Sequence, residues 1–318
     1  MKYYAGLDIG GTKCAALIGA VREDGTIQIL AKEKFPTEGK PQAMLEKLCD
    51  AILALKGDKT LEAAGISCGG PLSSAQGLIL SPPNLPGWDQ IPACKIVGEK
   101  LGIPCKLQND ADACALAEWK FGAGKGTNNM VFLTCGTGFG AGLLLGGRLY
   151  TGACDMAGEI GHIRVTDNGP VGYGKAGSFE GYCSGGGIAQ VARTVATEQL
   201  QMGKKTAFCG SYAELDAISA KTVADAANAG DELALQVYKT CGTYLGRSLA
   251  LLIDLLNPEA IVLGSVYARC ENLLRQTCLE VIEKECLPGA AVRCQILPAA
   301  LGESIGDIAA LAVAAKED

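Results

Sequence analysis

No apolar stretch in this 318-residue chain reaches the roughly 18 residues that a membrane-spanning helix needs. The opening Met-Lys-Tyr-Tyr-Ala-Gly leads into a strand-like run and lacks the pattern of a secretory leader. These two absences predict a soluble, cytoplasmic protein with no membrane partner. Positive charge is also scarce. A net charge of −6 leaves no basic surface able to neutralise a run of phosphates, so a nucleic-acid partner is not expected and small ligands are. Pro-rich and charge-rich linkers are missing, and any lobe boundary must be sought in the internal pattern. Fifteen cysteines occur, scattered from Cys14 to Cys294, without one Cys-x-x-Cys pair. An odd number, so dispersed and without a leader, predicts reduced, buried small hydrophobes in place of a disulfide framework.

What the chain does hold is material for a packed interior. Apolar residues make up 48% and charged ones 19%, which excludes disorder. At this length, two lobes of about 150 residues each with a cleft between them are expected. Tyr3 to Ile9 and Cys14 to Ala20 read as strands flanking the turn Gly10-Gly11-Thr12-Lys13. The pattern returns at Met130 to Cys135, Gly136-Thr137-Gly138-Phe139-Gly140 and Ala141 to Leu145, which predicts an internal duplication. Helical spacing marks Pro41 to Leu55, Ala111 to Phe121, Asp231 to Leu256 and Ile305 to Ala315, and short strands mark Ala63 to Cys68, Pro104 to Gln108 and Ala260 to Leu263. Alternating helices and strands define an α/β fold. The Gly-rich interruption at 122–127 divides an N-terminal lobe, 1–122, from a C-terminal lobe, 123–302, with the last helix, 303–318, free to cross back to the first lobe.

Several segments carry candidate chemistry. Asp8 ends a strand, and the small residues after it let backbone N–H groups and a hydroxyl approach phosphate oxygens. The spacing is not that of a Walker A loop, and the same residues also suit a plain hairpin turn. The second Gly-Thr segment is weak by itself; paired with the first, it suggests a triphosphate held from two sides. Asn109-Asp110 stands at a strand-to-helix junction, where a carboxylate can take the proton of an attacking hydroxyl, although spacing alone favours a helix cap. His162, the only histidine, follows Glu159 by three residues among glycines, a poor core environment that points to ligand contact. Glu180 is a further polar group in a segment of small residues.

Together these segments resemble the ROK family of repressors and sugar kinases, over nearly the whole chain and in family order: DIGGTK at 8–13, GGPL at 69–72, SPPNLPGW at 81–88, NDAD at 109–112, GTGFGAG at 136–142, GEIGH at 158–162 and NPEAIVLG at 257–264. The resemblance implies the actin-like ATPase fold of hexokinase and Hsp70, duplicated, with two lobes around a cleft. It implies that Gly10, Gly11, Thr12, Lys13, Gly136, Thr137 and Gly138 surround the phosphates of ATP, that Gly264 lies near the adenosine, and that Asp8 acts through the shell of Mg²⁺. Asp110 is implied as the catalytic base, and Asn109, Glu159, His162 and Glu180, with Gly70 and Asn84, as groups that contact the sugar. A homodimer or homotetramer is implied as well.

One departure stands out. The family follows its Gly-His with a structural zinc site of the form C-x-C-x(4)-C, and Val171, Tyr173 and Ser178 occupy those three positions here. His162 alone cannot make a closed zinc site, so no zinc is expected. Two consequences are open: Val171 and Tyr173 pack the loop by apolar contact and leave His162 free to bind sugar, or the loss alters substrate choice. The leading expectation is an ATP-dependent kinase of a hexose or N-acetylhexosamine. A repressor would need an N-terminal DNA-binding domain, for which the chain leaves no room ahead of Asp8. A sugar-binding protein without catalysis is the alternative, and the intact phosphate segments and base speak against it.

Overall fold

The structure is a computed structural model that describes residues 1–136 and 138–316. The chain divides into two compact units, one of Met1–Phe132, Gly142–Ala157 and Ala300–Asp318, the other of Leu133–Ala141 and Gly158–Ala299. Strands β1 (Lys2–Ile9), β2 (Lys13–Val21), β3 (Ile27–Pro36) and β4 (Leu61–Cys68) are followed by a short hairpin of β5 (Leu72–Ser73) and β6 (Leu78–Ile79), and then by β7 (Cys105–Asn109). Next come β8 (Met130–Cys135), β9 (Phe139–Leu145) and β10 (Arg148–Tyr150), a second hairpin of β11 (Val171–Gly172) and β12 (Lys175–Ala176), and last β13 (Ala260–Leu263) and β14 (Gln295–Pro298).

Two five-stranded sheets result, ordered β3-β2-β1-β4-β7 and β10-β9-β8-β13-β14. Each runs third, second, first, fourth, fifth in the order of its own strands, so the duplication expected from the paired Gly-Thr segments is present. In the first sheet, β1 pairs antiparallel with β2 and parallel with β4, and β4 pairs parallel with β7. In the second, β9–β10 is antiparallel and β13–β14 parallel.

The first sheet is covered on both faces, which explains why Cys14 to Ala20 is continuously apolar rather than alternating. Cys14, Ala16 and Ile18 join Met44, Leu45 and Leu48 of the helix Pro41–Lys56. Ala15 and Leu17 face the other way and pack with Ala310 and Leu311 of the helix Ile305–Ala314. That helix lies so close to β4 that a Cβ on Gly65 would meet the Ala310 carbonyl and lie 3.0 Å from the Cα of Ala314. Glu118, wholly buried, ties the unit together at its far end. Its carboxylate accepts from the N–H groups of Ala123 at 2.8 Å, Ala300 at 3.2 Å and Leu301 at 2.9 Å.

The second unit is built largely on the helix Glu232–Leu256, which begins at the Asp231 cap (Ala234 N–H to Oδ1, 2.8 Å) and stops at Asn257 in the left-handed region, just before Pro258. Its glycines, Gly242 and Gly246, admit Thr277 and Val281 of the helix Glu271–Glu285. Among the described residues every cysteine is free, most are buried, and no helix is long and apolar enough to cross a membrane.

Candidate active site

The three parallel strands of the first sheet end level with one another. Ile9 pairs with Cys68, and Cys68 with Asn109. Gly10, Gly69 and Asp110, the next residue on each strand, therefore leave the sheet together at its carboxyl edge, where ligands of α/β proteins collect. Gly10 begins a closed turn: its N–H donates to the Lys13 carbonyl at 3.1 Å, Thr37 Oγ1 donates to the Gly10 carbonyl at 2.6 Å, and the Thr37 N–H donates to the Thr12 carbonyl at 3.0 Å. Gly11, Thr12 and Lys13 are exposed. A Cβ on Gly11 would fall 3.0 Å from the Cβ of Asn84 and nearer still to its carbonyl, so only glycine fits there. The Asn84 side chain reaches toward Gly69, and that of Asn109 toward Gly70. The sheet register thus gathers Gly10 to Lys13, Gly70, Asn84, Asn109 and Asp110 from four segments of one unit.

At 109–110 the cap position falls to Asn109, and Asp110 is not the cap. Asn109 is the N-cap of the helix Asp110–Phe121, its Oδ1 accepting from the Ala111 N–H at 2.9 Å. Asp110 takes the first helical position, with Oδ1 2.8 Å from the same N–H. Surrounding protein pushes the Asp110 carboxyl above its ordinary range, against the pull of the N–H groups of Ala111 and of Asp110 itself. Solvent still reaches the side chain, and screening tempers the push.

Asp8 is half-buried at the end of β1 and is raised to about 6, first by burial and then by the negative charge of Asp307, with Lys32 opposing and Asp110 adding to the rise. Asp307 pairs with Lys32, and Asp8 Oδ2 faces Gly306 in the first turn of the last helix. An Asp held up by burial, and further by neighbouring carboxylates, is a group that a divalent cation would relieve. Mg²⁺ favours one or two carboxylates with waters and phosphates over an all-protein cage. Asp8 fits that description, and no cluster of three or more His, Cys, Asp or Glu side chains suited to a metal occurs among the described residues.

In the second unit, Glu180 is the organising side chain. It lies in the helix Phe179–Cys183, capped by buried Ser178, whose Oγ accepts from the Gly181 N–H at 3.2 Å. The Phe139 N–H donates to Glu180 Oε2 at 3.1 Å, and a Cβ on Gly138 would stand 3.0 Å from that oxygen. Glu180, expected as a sugar contact, thus also anchors the second Gly-Thr segment. Gly161 and Gly172 both abut the Glu180 side chain. Glu159 and His162 are exposed around the single helical turn Ile160–His162. Gly136 accepts from the Gly185 N–H at 2.8 Å and lies against the Ser265 hydroxyl, while Gly264, at the end of β13, donates to the Leu133 carbonyl at 2.9 Å. Thr137 lies outside the described residues.

At the three positions of the absent cysteines, one expectation is corrected. Val171 and Tyr173 do not hold the loop by apolar packing: they are 46% and 76% exposed. The segment is held by polar contacts instead. Gln190 accepts from the Val171 N–H at 2.9 Å and donates to its carbonyl at 2.8 Å, Lys175 Nζ donates to the His162 carbonyl at 2.7 Å, and Ser178 serves as the cap. Asp307, Thr37, Gly185 and Ser265 escaped the sequence reading. Gly306-Asp307 at the start of the last predicted helix was a legible signal; Thr37 had none.

The ROK family model matches residues 4–317. A glucokinase of Streptomyces coelicolor is 34% identical over 81% of this chain and 80% of its own length. An N-acetylmannosamine kinase of Escherichia coli O157:H7 is 33% identical over 84% of each chain. Among solved structures, a ROK family glucokinase from Streptomyces griseus in complex with glucose and AMPPNP superposes with a TM-score of 0.76 at 30% identity, covering 99% of this chain and all of the other.

Proposed function

Because this chain belongs to the ROK family, with its actin-like ATPase fold, we propose that it transfers the γ-phosphate of ATP to a hydroxyl of a hexose or N-acetylhexosamine, the 6-hydroxyl being the expected acceptor. Sugar kinase activity is what its glucokinase and N-acetylmannosamine kinase relatives support. The observation that carries the reading further is the level ending of β1, β4 and β7, which gathers the Gly10 turn, Gly70 and Asp110 at one edge of one sheet.

In this reading Asp110 takes the proton from the attacking hydroxyl as the new P–O bond forms and the bond to ADP breaks. A carboxyl raised by its surroundings keeps more affinity for that proton than a free one, which suits a general base near neutral pH. In the same reading Asn109, Asn84 and the Gly70 backbone are assigned as sugar contacts, and Glu159, His162 and Glu180 as side chains suited to bond sugar hydroxyls. Gly10 to Lys13 offer N–H groups and a cation suited to phosphates; Gly136, Thr137 and Gly138 are assigned to the phosphates too, and Gly264 to the adenosine. Mg²⁺, when bound, would neutralise charge on the transferring phosphoryl group, and Asp8 would hold its water shell.

The test is ADP release with ATP and Mg²⁺ across hexoses, N-acetylhexosamines and ketoses, for the natural chain and Asp110→Ala. One sugar should give turnover that Asp110→Ala lowers by about 10²- to 10⁴-fold. Binding of a sugar with no turnover on any would replace the kinase by a noncatalytic sugar-binding protein.

A further inference from the structure

The β11–β12 hairpin is a two-residue loop, with Val171 opposite Ala176 and Gly172 opposite Lys175. Its two turn residues, Tyr173 and Gly174, have φ of 44° and 75°. Positive φ at both central positions defines the type I′ turn, whose first position favours Asn, Asp or Gly. A tyrosine there is strained, and its ring, largely exposed, gains little from burial in return. Its neighbour is the only histidine: the rings of Tyr173 and His162 meet edge to face, centroids 6.1 Å apart at 73°.

The rest of the hairpin is built to hold that meeting in place. Gly172 lies against Glu180, where a side chain would collide with the Glu180 Cβ at 2.6 Å. Lys175 grips the carbonyl of His162 itself, and Gln190 clamps both backbone groups of Val171. One short hairpin therefore touches the backbone of His162, the ring of His162 and the side chain of Glu180.

Resting on the kinase reading, we propose that Tyr173 is the positioning residue for His162, and that through this ring contact it sets affinity for the sugar and selectivity between hexoses and N-acetylhexosamines. The hairpin orients His162 by one hydrogen bond, from Lys175 Nζ to its carbonyl, and by an aromatic edge. Because the largely exposed Tyr173 ring stands edge to face beside the imidazole, removing it loosens His162 and, on this proposal, frees room next to it.

Tyr173→Asn gives a clean test, because Asn suits the turn and should leave thermal stability unchanged or raise it. Loss of an edge-to-face pair predicts a rise in sugar KM of about 3- to 10-fold, with kcat and the KM for ATP moving less than about twofold. The ratio of kcat/KM for glucose to that for N-acetylmannosamine should shift by about 3-fold or more. Tyr173→Phe, which keeps the ring, should retain the original sugar KM. An unchanged sugar KM in Tyr173→Asn, a parallel rise in the KM for ATP, or a Phe variant as impaired as Asn overturns the proposal. NMR of the imidazole C–H signals, the only ones in the protein, judges the contact independently of turnover: they should shift in the free Tyr173→Asn protein and not in Tyr173→Phe. If the natural chain turns over no sugar, the kinase reading fails and the selectivity claim with it; unmoved imidazole signals refute the pairing itself.

Discussion

Replacing Asp8 with asparagine should stabilise the unliganded protein while removing its phosphoryl-transfer activity. Asp8 has an ordinary value of 3.8 and is carried to about 6, chiefly by burial and by Asp307. The native state therefore holds the Asp8 proton more tightly than the unfolded chain does. A contribution to stability that is complete below pH 3.8 is lost as the pH rises through about 6. At about 1.4 kcal/mol per pH unit the full cost of ionised Asp8 at neutral pH is about 3 kcal/mol, and screening at a half-buried site brings the observable figure to about 1–3 kcal/mol. Asparagine keeps the shape and escapes that cost, and the Lys32–Asp307 pair stays in place. The assay is thermal and urea unfolding of both proteins from pH 4 to 8, without nucleotide or divalent cation. Asp8→Asn should be the more stable protein at pH 7, with the advantage shrinking toward zero near pH 4. A variant less stable at pH 7, or a difference that does not change with pH, would refute the reasoning.

Two other substitutions separate structure from ligand binding. Glu118→Ala strands three backbone N–H groups around a wholly buried site, and should cost about 3 kcal/mol or more, read as a lower urea midpoint. Glu180→Ala removes the acceptor of the Phe139 N–H and should raise the KM for ATP and for the sugar together, each by about 10-fold in steady-state kinetics. A rise in the sugar KM alone would confine Glu180 to the sugar.

The strands, the long helices and the duplication were legible because each has a local cause. Apolar runs broken by Gly-Thr turns mark β1–β2 and β8–β9, and Asp231 and Asn257 punctuate the longest helix at both ends. Asn109 as cap and Asp110 as the next residue could not be separated by spacing, since either side chain can cap and only the backbone angles assign the position. That Lys32 and Asp307 stand beside Asp8 was not legible, because they come from distant segments that only the sheet and its covering helix bring near. The hairpin at 171–176 misled for a different reason. Val171 and Tyr173 are apolar by composition, yet a type I′ turn projects them outward while Gln190, Lys175 and Ser178 hold the backbone.

The helix Ile305–Ala314 covers one face of the first sheet and sets Gly306 beside Asp8. On the ribosome, β1, β2 and β4 emerge early, whereas that helix begins only at Ile305. At roughly 5–20 residues per second the nascent chain spends tens of seconds with Ala15 and Leu17 uncovered. Asp8 meanwhile stands in water without Asp307 and ionises as a free carboxyl. That edge of the sheet is thus completed only after residue 305 has emerged, and a chain stalled before it presents an uncovered sheet face for chaperones.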